Sequence, residues 1–150
     1  MTDTLIAEIK EQLADAMRER DDARRDTLRL ILSSLQGAEK ELQRPLTEDE
    51  ELQVLQRERK KRVEAAEAFR NAGREELATG EEAEARLIEN YLPAELPDDS
   101  LRAIVAAAVA ETGAQSPKDM GQVMKAAMAV VGTRADGKRV SALVREALTR

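Results

Sequence analysis

The chain has 150 residues, enough for one ordinary domain or two small packed units. It has no Cys, His or Trp, and only one Tyr (Tyr91) and one Phe (Phe69). That excludes a disulfide framework, a zinc-thiolate site, a thiol nucleophile and any chemistry that needs an imidazole. Charged residues make up 36% of the sequence and the formal net charge is −6, a mixture rich in Ala, Leu, Glu, Arg and Lys that favours long helices with solvated outer faces.

The N-terminus, MTDTLIAEIKEQ, is acidic and amphipathic, without the basic region, apolar run and small-residue cleavage site of a signal peptide. No stretch approaches the roughly 18 apolar residues of a membrane span. The sequence therefore predicts a cytoplasmic protein.

Spacing and caps predict a helix over about Asp3 to Arg18, with Leu5, Ile9, Leu13, Ala16 and Met17 on one face. A second runs from about Asp22 to Gln43, with Leu28, Ile31, Leu35, Ala38 and Leu42 inward, and Arg44-Pro45 ends it because proline disfavours helical geometry in the residue before it. The third opens on Thr47-Glu48-Asp49-Glu50, a capping box, and runs to about Ala72 with Leu52, Leu55, Val63, Ala66 and Phe69 inward. Gly73 can take the left-handed stop position. A fourth segment, about Arg74 to Tyr91, is interrupted by Gly80, and its apolar face is thin until Leu87, Ile88 and Tyr91.

Leu92-Pro93-Ala94-Glu95-Leu96-Pro97 carries two prolines and is the best candidate for a boundary, between a helical region 1–92 and a module 97–150. Asp98 to Thr112 carries Leu101, Ile104, Val105, Ala108 and Val109 and stops at Gly113. Ser116-Pro117-Lys118-Asp119 reads as an N-cap serine with proline at the first helical position. That helix carries Met120, Val123, Met124, Ala127, Met128 and Val131 to Gly132. The last begins near Asp136-Gly137 and buries Val140, Leu143, Val144 and Leu148. No useful strand-like alternation appears, so the predicted fold is all-α, a long-helix region followed by a small three-helix module.

Charge divides along the same boundary. Residues 1–96 hold 16 basic and 24 acidic side chains, whereas residues 97–150 hold 8 basic and 6 acidic. A mildly basic module on an acidic body points toward an anionic partner. Glu48, Asp49, Glu50 and Glu51 suit the first turn of a helix, where the macrodipole favours negative charge. The run Arg57, Arg59, Lys60, Lys61, Arg62 interleaves with Glu58 and Glu64, so intrahelical ion pairs are its default reading and a phosphate-facing stripe the alternative. Met120, Met124 and Met128 repeat every fourth residue, as core or as a ligand groove. Gly132-Thr-Arg-Ala-Asp-Gly-Lys-Arg139 is a glycine-bounded loop leading into a helix start. Its amides and basic side chains either serve capping and solubility or attract an anion; the Lys-Ser/Thr end of a P-loop is absent.

Asp119-Met-Gly-Gln-Val-Met124, followed by Gly132-x-x-Ala135-Asp-Gly-Lys-x-Val140, resembles the signature of the GatB/YqeY domain family. Tyr91-Leu-Pro93, Gly73-Arg74-x-x-Leu77 and the basic-acidic third helix extend the likeness over essentially the whole chain; Gly80 departs from it where a helix-forming residue is expected. The resemblance implies a two-part helical fold, with a C-terminal part similar to the tail domain of the GatB subunit of tRNA-dependent amidotransferases. In those enzymes a separate cradle domain carries the chemistry and the tail contacts tRNA. It also implies a family label of carbon–nitrogen ligase with glutamine as amido-N-donor, inherited by domain similarity.

Carried over residue by residue, the tRNA-facing role falls on Lys118, Lys125, Arg134, Lys138 and Arg139. Gly121 is expected to permit close helix packing, Asp136-Gly137 to shape the loop, and Met120 and Met124 to belong to the structural motif. No catalytic residue, metal site or cofactor is expected. The reading is a non-catalytic accessory module for tRNA or another structured RNA, acting alone or beside an aminoacylation or amidotransferase protein, away from membranes. The competing readings are a helical protein-interaction adaptor and an amidotransferase. The latter needs an ATP site, an ammonia source and an acyl acceptor site that the sequence does not show.

Overall fold

The computed structural model describes residues 4–149. In chain order the helices are α1 (Leu5–Arg18), α2 (Asp22–Leu42), α3 (Glu48–Asn71), α4 (Glu75–Glu89), α5 (Asp98–Thr112), α6 (Met120–Val131) and α7 (Gly137–Leu148). A 3₁₀ turn spans Pro117–Asp119, and there is no strand among the described residues. The fold is all-α, as the spacing predicts. The chain divides into two compact units, Met1–Leu92 and Pro93–Arg150.

In the first unit, α1 begins where the Thr4 hydroxyl accepts the Ala7 amide at 3.1 Å; the expected start at Asp3 lies outside the described residues. The capping box of α3 forms as predicted. Thr47 Oγ1 accepts the Glu50 amide at 3.2 Å, and Glu50 Oε1 accepts the Thr47 amide at 2.9 Å. Arg44 forks onto the same carboxylate at 2.7 and 2.9 Å. That hydrogen bond, helped by the Thr47 amide, holds the Glu50 carboxyl down at about 2. The expected stop of α2 at Arg44-Pro45 moves earlier, because Gln43 takes left-handed geometry (φ 58°) and the Arg44 amide folds back on the Glu39 carbonyl.

The core of this unit is Ile9, Ala16, Leu28, Ile31, Leu35, Val54, Leu55 and Ile88, drawn from all four helices. Three residues expected inward are exposed: Met17 (52%), Leu42 (46%) and Val63 (41%). Neighbouring residues on a helix point about 100° apart, so burial of Ala16 turns Met17 away and burial of Arg62 turns Val63 away. Leu42 is the final residue of α2. The thin apolar face of α4 is resolved by Ala78 and Ala85, which are buried along with Ala66 of α3. Small side chains there suit a close approach of the two helices. α4 runs unbroken through Gly80.

In the second unit each helix contributes a ladder at three- or four-residue steps: Leu101, Val105 and Ala108; Val123, Ala127 and Val131; Val140, Val144 and Leu148. Ala135 closes the core between the last two helices. Gly113 ends α5 at φ 68°, and Gly132 ends α6 at φ 59°, ψ −125°, a region that side chains avoid. Pro117 does not open α6 as expected. The Asp119 carboxylate accepts the Gln115 and Ser116 amides, and the Asp119 amide returns to the Ser116 carbonyl, which tightens Pro117–Asp119 into its own 3₁₀ turn. α6 therefore begins at Met120.

Candidate nucleic-acid interface

The densest basic run lies in α3, and Arg59, Lys61 and Arg62 of it are engaged with carboxylates. Lys61 and Arg62 reach Glu58 one turn away, at 3.7 and 2.6 Å, as intrahelical pairing predicts. Two arginines go further than predicted and bridge to α4, Arg59 to Glu89 at 2.8 Å and Arg62 to Glu84 at 3.3 Å. Arg62 is buried, and its Nε has no hydrogen-bond partner. Ser34 of α2 donates to Glu58 at 3.0 Å, so Ser34, Glu58, Arg62 and Glu84 tie three helices together. Burial pushes the Glu58 carboxyl up, but the Arg62 and Ser34 hydrogen bonds outweigh it and the net shift is down. Burial and Glu81 push Glu84 up against the pull of Arg62.

Within the loop that leads into α7, basic and backbone groups are engaged internally. Arg134 donates to the carbonyls of Val130 and Val131 at 2.6 and 3.2 Å, closing the end of α6. Arg139 donates to the Leu96 carbonyl at 2.9 Å and to Asp98 at 2.7 Å, pinning the chain that enters α5. The Asp136 side chain accepts the Lys138 amide at 3.0 Å, and its carbonyl accepts the Arg139 and Val140 amides. The amides that make a helix start attractive to anions are thus satisfied by Asp136. Asp136-Gly137 shapes the loop as a cap and first helical residue.

Lys118, Lys125 and Lys138 stand differently. All three are exposed, and none has an ion-pair partner among the described residues. Arg145 shares this condition and was not singled out by the sequence; its signal is the seven-residue step from Lys138. Residues i, i+4 and i+7 share a helix face, so Lys138, Ala142 and Arg145 line the outer side of α7, with the two cations about 10 Å apart along the axis. Glu146 follows Arg145 and points about 100° away. Lys118 in the 3₁₀ turn is followed by Gly121 and Lys125 on α6, all three exposed. The only acid beside them, Asp119, is held by backbone amides of its own turn. Met120, Met124 and Met128 pack against the core of the unit, which is the ordinary reading of that stripe. The close packing expected at Gly121 is not found: the residue is exposed, and a Cβ there would meet nothing within 4 Å.

Two hollows lie among the described residues. One of about 440 Å³ in the first unit is lined by Glu8, Glu48, Glu51 and Tyr91. Burial raises the Glu51 carboxyl, against the opposite pull of the Ile6 and Leu5 amides at the start of α1. Glu51, read from sequence as a first-turn acid of α3, thus also feels the start of a second helix. Such walls repel anions. The other, about 230 Å³ between α5 and α7, is floored by Val105, Ala106 and Leu143 and edged by Arg102 and Glu146. Among the described residues no group of acidic side chains is arranged to hold a metal ion, and no helix is long and apolar enough to cross a membrane.

Residues 6–148 match the family model described as "Yqey-like protein". The chain belongs to the YqeY-like family. An uncharacterized protein of Schizosaccharomyces pombe is 36% identical to it over 89 residues, covering 59% of this chain and 72% of that protein. In this YqeY-like chain the signature residues divide by role. Asp119 and Asp136, with Arg139 outside the signature, hold the second unit together, while Gly121 and Lys138, with the neighbouring Lys118, remain on its surface.

Proposed function

We propose that this YqeY-like protein is an RNA-binding accessory module, with tRNA as the first candidate. It acts beside an aminoacylation or amidotransfer enzyme and does not perform amide transfer itself. One observation carries the reading: Lys118 in the 3₁₀ turn, Lys125 on α6, and Lys138 and Arg145 on α7 are exposed cations without carboxylate partners among the described residues. In the first unit Arg59, Lys61 and Arg62 pair with Glu89, Glu58 and Glu84, and its remaining exposed cations stand on an acidic body that repels phosphate. With one Tyr and one Phe in the chain, stacking on bases contributes little, so recognition rests on phosphates and the shape of a folded RNA. The choice of tRNA comes from the resemblance to the GatB tail, and the ligase label belongs to the enzymes that carry the cradle.

The test is a titration of the full chain against folded tRNA at two salt concentrations. Four phosphate contacts predict an affinity lower on the order of 10²-fold at about 200 mM than at about 50 mM salt. Absence of binding at the lower salt sinks the proposal. The adaptor reading draws on the exposed Met17, Leu30, Val63 and Leu77 of the first unit. Recovery of a stoichiometric protein complex that survives nuclease, without RNA affinity, would favour it instead.

A further inference from the structure

We infer that the outer face of α6 is a close-approach contact for an RNA backbone, and that residue 121 is glycine to leave room for it. The inference rests on the RNA-binding reading and assigns Gly121 a role in it. Nothing inside the molecule asks for glycine there. Its φ is not positive, so any side chain can adopt its backbone, and a Cβ would meet nothing within 4 Å. The glycine is exposed on a helix, where it is a poorer former than alanine. With conformation and packing both excluded, the remaining reason for a missing side chain is something that approaches from outside.

The surroundings say what that is. Lys118, in the 3₁₀ turn, precedes Gly121 by three residues, one turn of such a helix, and Lys125 follows it by four, about one turn further along α6. Both are exposed and without ion-pair partners among the described residues, and the Asp119 carboxylate is occupied by the Gln115 and Ser116 amides. Two ammonium groups flanking a bare stretch of helix fit a phosphodiester strand lying across it, with the glycine under the strand and a lysine on either side. Gly37 and Gly80 are equally open, but they have Glu41, and Glu76 and Glu84, one turn away, which is unsuitable for phosphate. Among the helical glycines of the described residues, only Gly121 has a lysine about one turn away on each side and no acid at those positions.

The test compares the full chain carrying Gly121→Gln with wild type and with Gly80→Ala, scoring melting temperature and tRNA affinity at low salt. Gly121→Gln is expected to melt at or above the wild-type temperature yet bind tRNA about tenfold more weakly, the loss of roughly one phosphate contact. Gly80→Ala should melt higher and bind as wild type does. Gly121→Ala, adding one methyl, should fall between. If Gly121→Gln binds at full strength while Lys138→Gln/Arg145→Gln loses affinity, the RNA reading stands and this contact is wrong. A melting temperature several degrees below wild type would show a structural role for the glycine and overturn the inference. Failure of wild type to bind any RNA removes the reading beneath it, and full RNA affinity combined with loss of a protein partner in Gly121→Gln assigns the face to that protein.

Discussion

Arg62→Ala is expected to destabilise the chain by about 3 kcal/mol, the low end of the cost of leaving a buried ion pair without one partner. Arg62 is 9% exposed at its side chain and Glu58 is 12% exposed, so both charges are out of water and each depends on the other. The cost stays at the low end because Glu84 is 35% exposed and can regain water, and because Ser34 still donates to Glu58. Arg62→Met/Glu58→Gln should lose less than the single change, since it removes both charges and keeps the volume. The two are separated by urea midpoints at constant slope. A single variant as stable as wild type would show that the network contributes nothing.

The acid limb of stability tests the same network. Glu58 has its folded pKa lowered, so its contribution is present above the ordinary glutamate range and is lost as pH falls through the folded value. Glu84 is raised and works with the opposite sign: it takes up a proton more readily when folded, which relieves its burial as pH falls. Removing Arg62 takes away the group that lowers both. Both carboxyls should then titrate higher, and the variant should recover part of its deficit on acidification.

Neutralising four exposed cations of the second unit should have the largest effect on function. Lys118→Gln, Lys125→Gln, Lys138→Gln and Arg145→Gln together are expected to weaken tRNA binding at low salt by at least on the order of 10²-fold and to flatten its salt dependence. The melting temperature should barely change, because none of the four makes an ion pair among the described residues. Arg134→Gln and Arg139→Gln should do the reverse. Those side chains hold the Val130, Val131 and Leu96 carbonyls and Asp98, so their loss lowers stability before it touches binding. A quadruple variant that binds with wild-type affinity and salt slope would remove α6 and α7 as the interface.

Much of the fold was legible because helical periodicity and caps are local. The Thr47 box, the Gly113 and Gly132 stops and the ladders of the second unit all follow from residues within two turns of one another. What escaped was long-range. Nothing local to Arg62 shows that it turns inward, because its partner Glu84 lies on the next helix. Glu51 looks like any first-turn acid until α1 is brought against it. Within the loop at 132–139, sequence finds the basic residues but cannot tell the arginine that closes a helix from the lysine that faces water. Arg134 and Lys138 differ only in what lies within reach of their ends. Gly121 read as a packing glycine because motif glycines commonly are, and only the empty space around it points outward.

The central claim is that the second unit, by the outer faces of α6 and α7, meets RNA phosphates. Amine-selective acylation of the full chain, read lysine by lysine with and without saturating tRNA, tests it most directly. The exposed Lys118, Lys125 and Lys138 should become protected while Lys10, Lys40 and Lys61, exposed on the acidic unit, keep their reactivity. Protection of Lys10, Lys40 and Lys61 with Lys118, Lys125 and Lys138 still reactive would contradict the account.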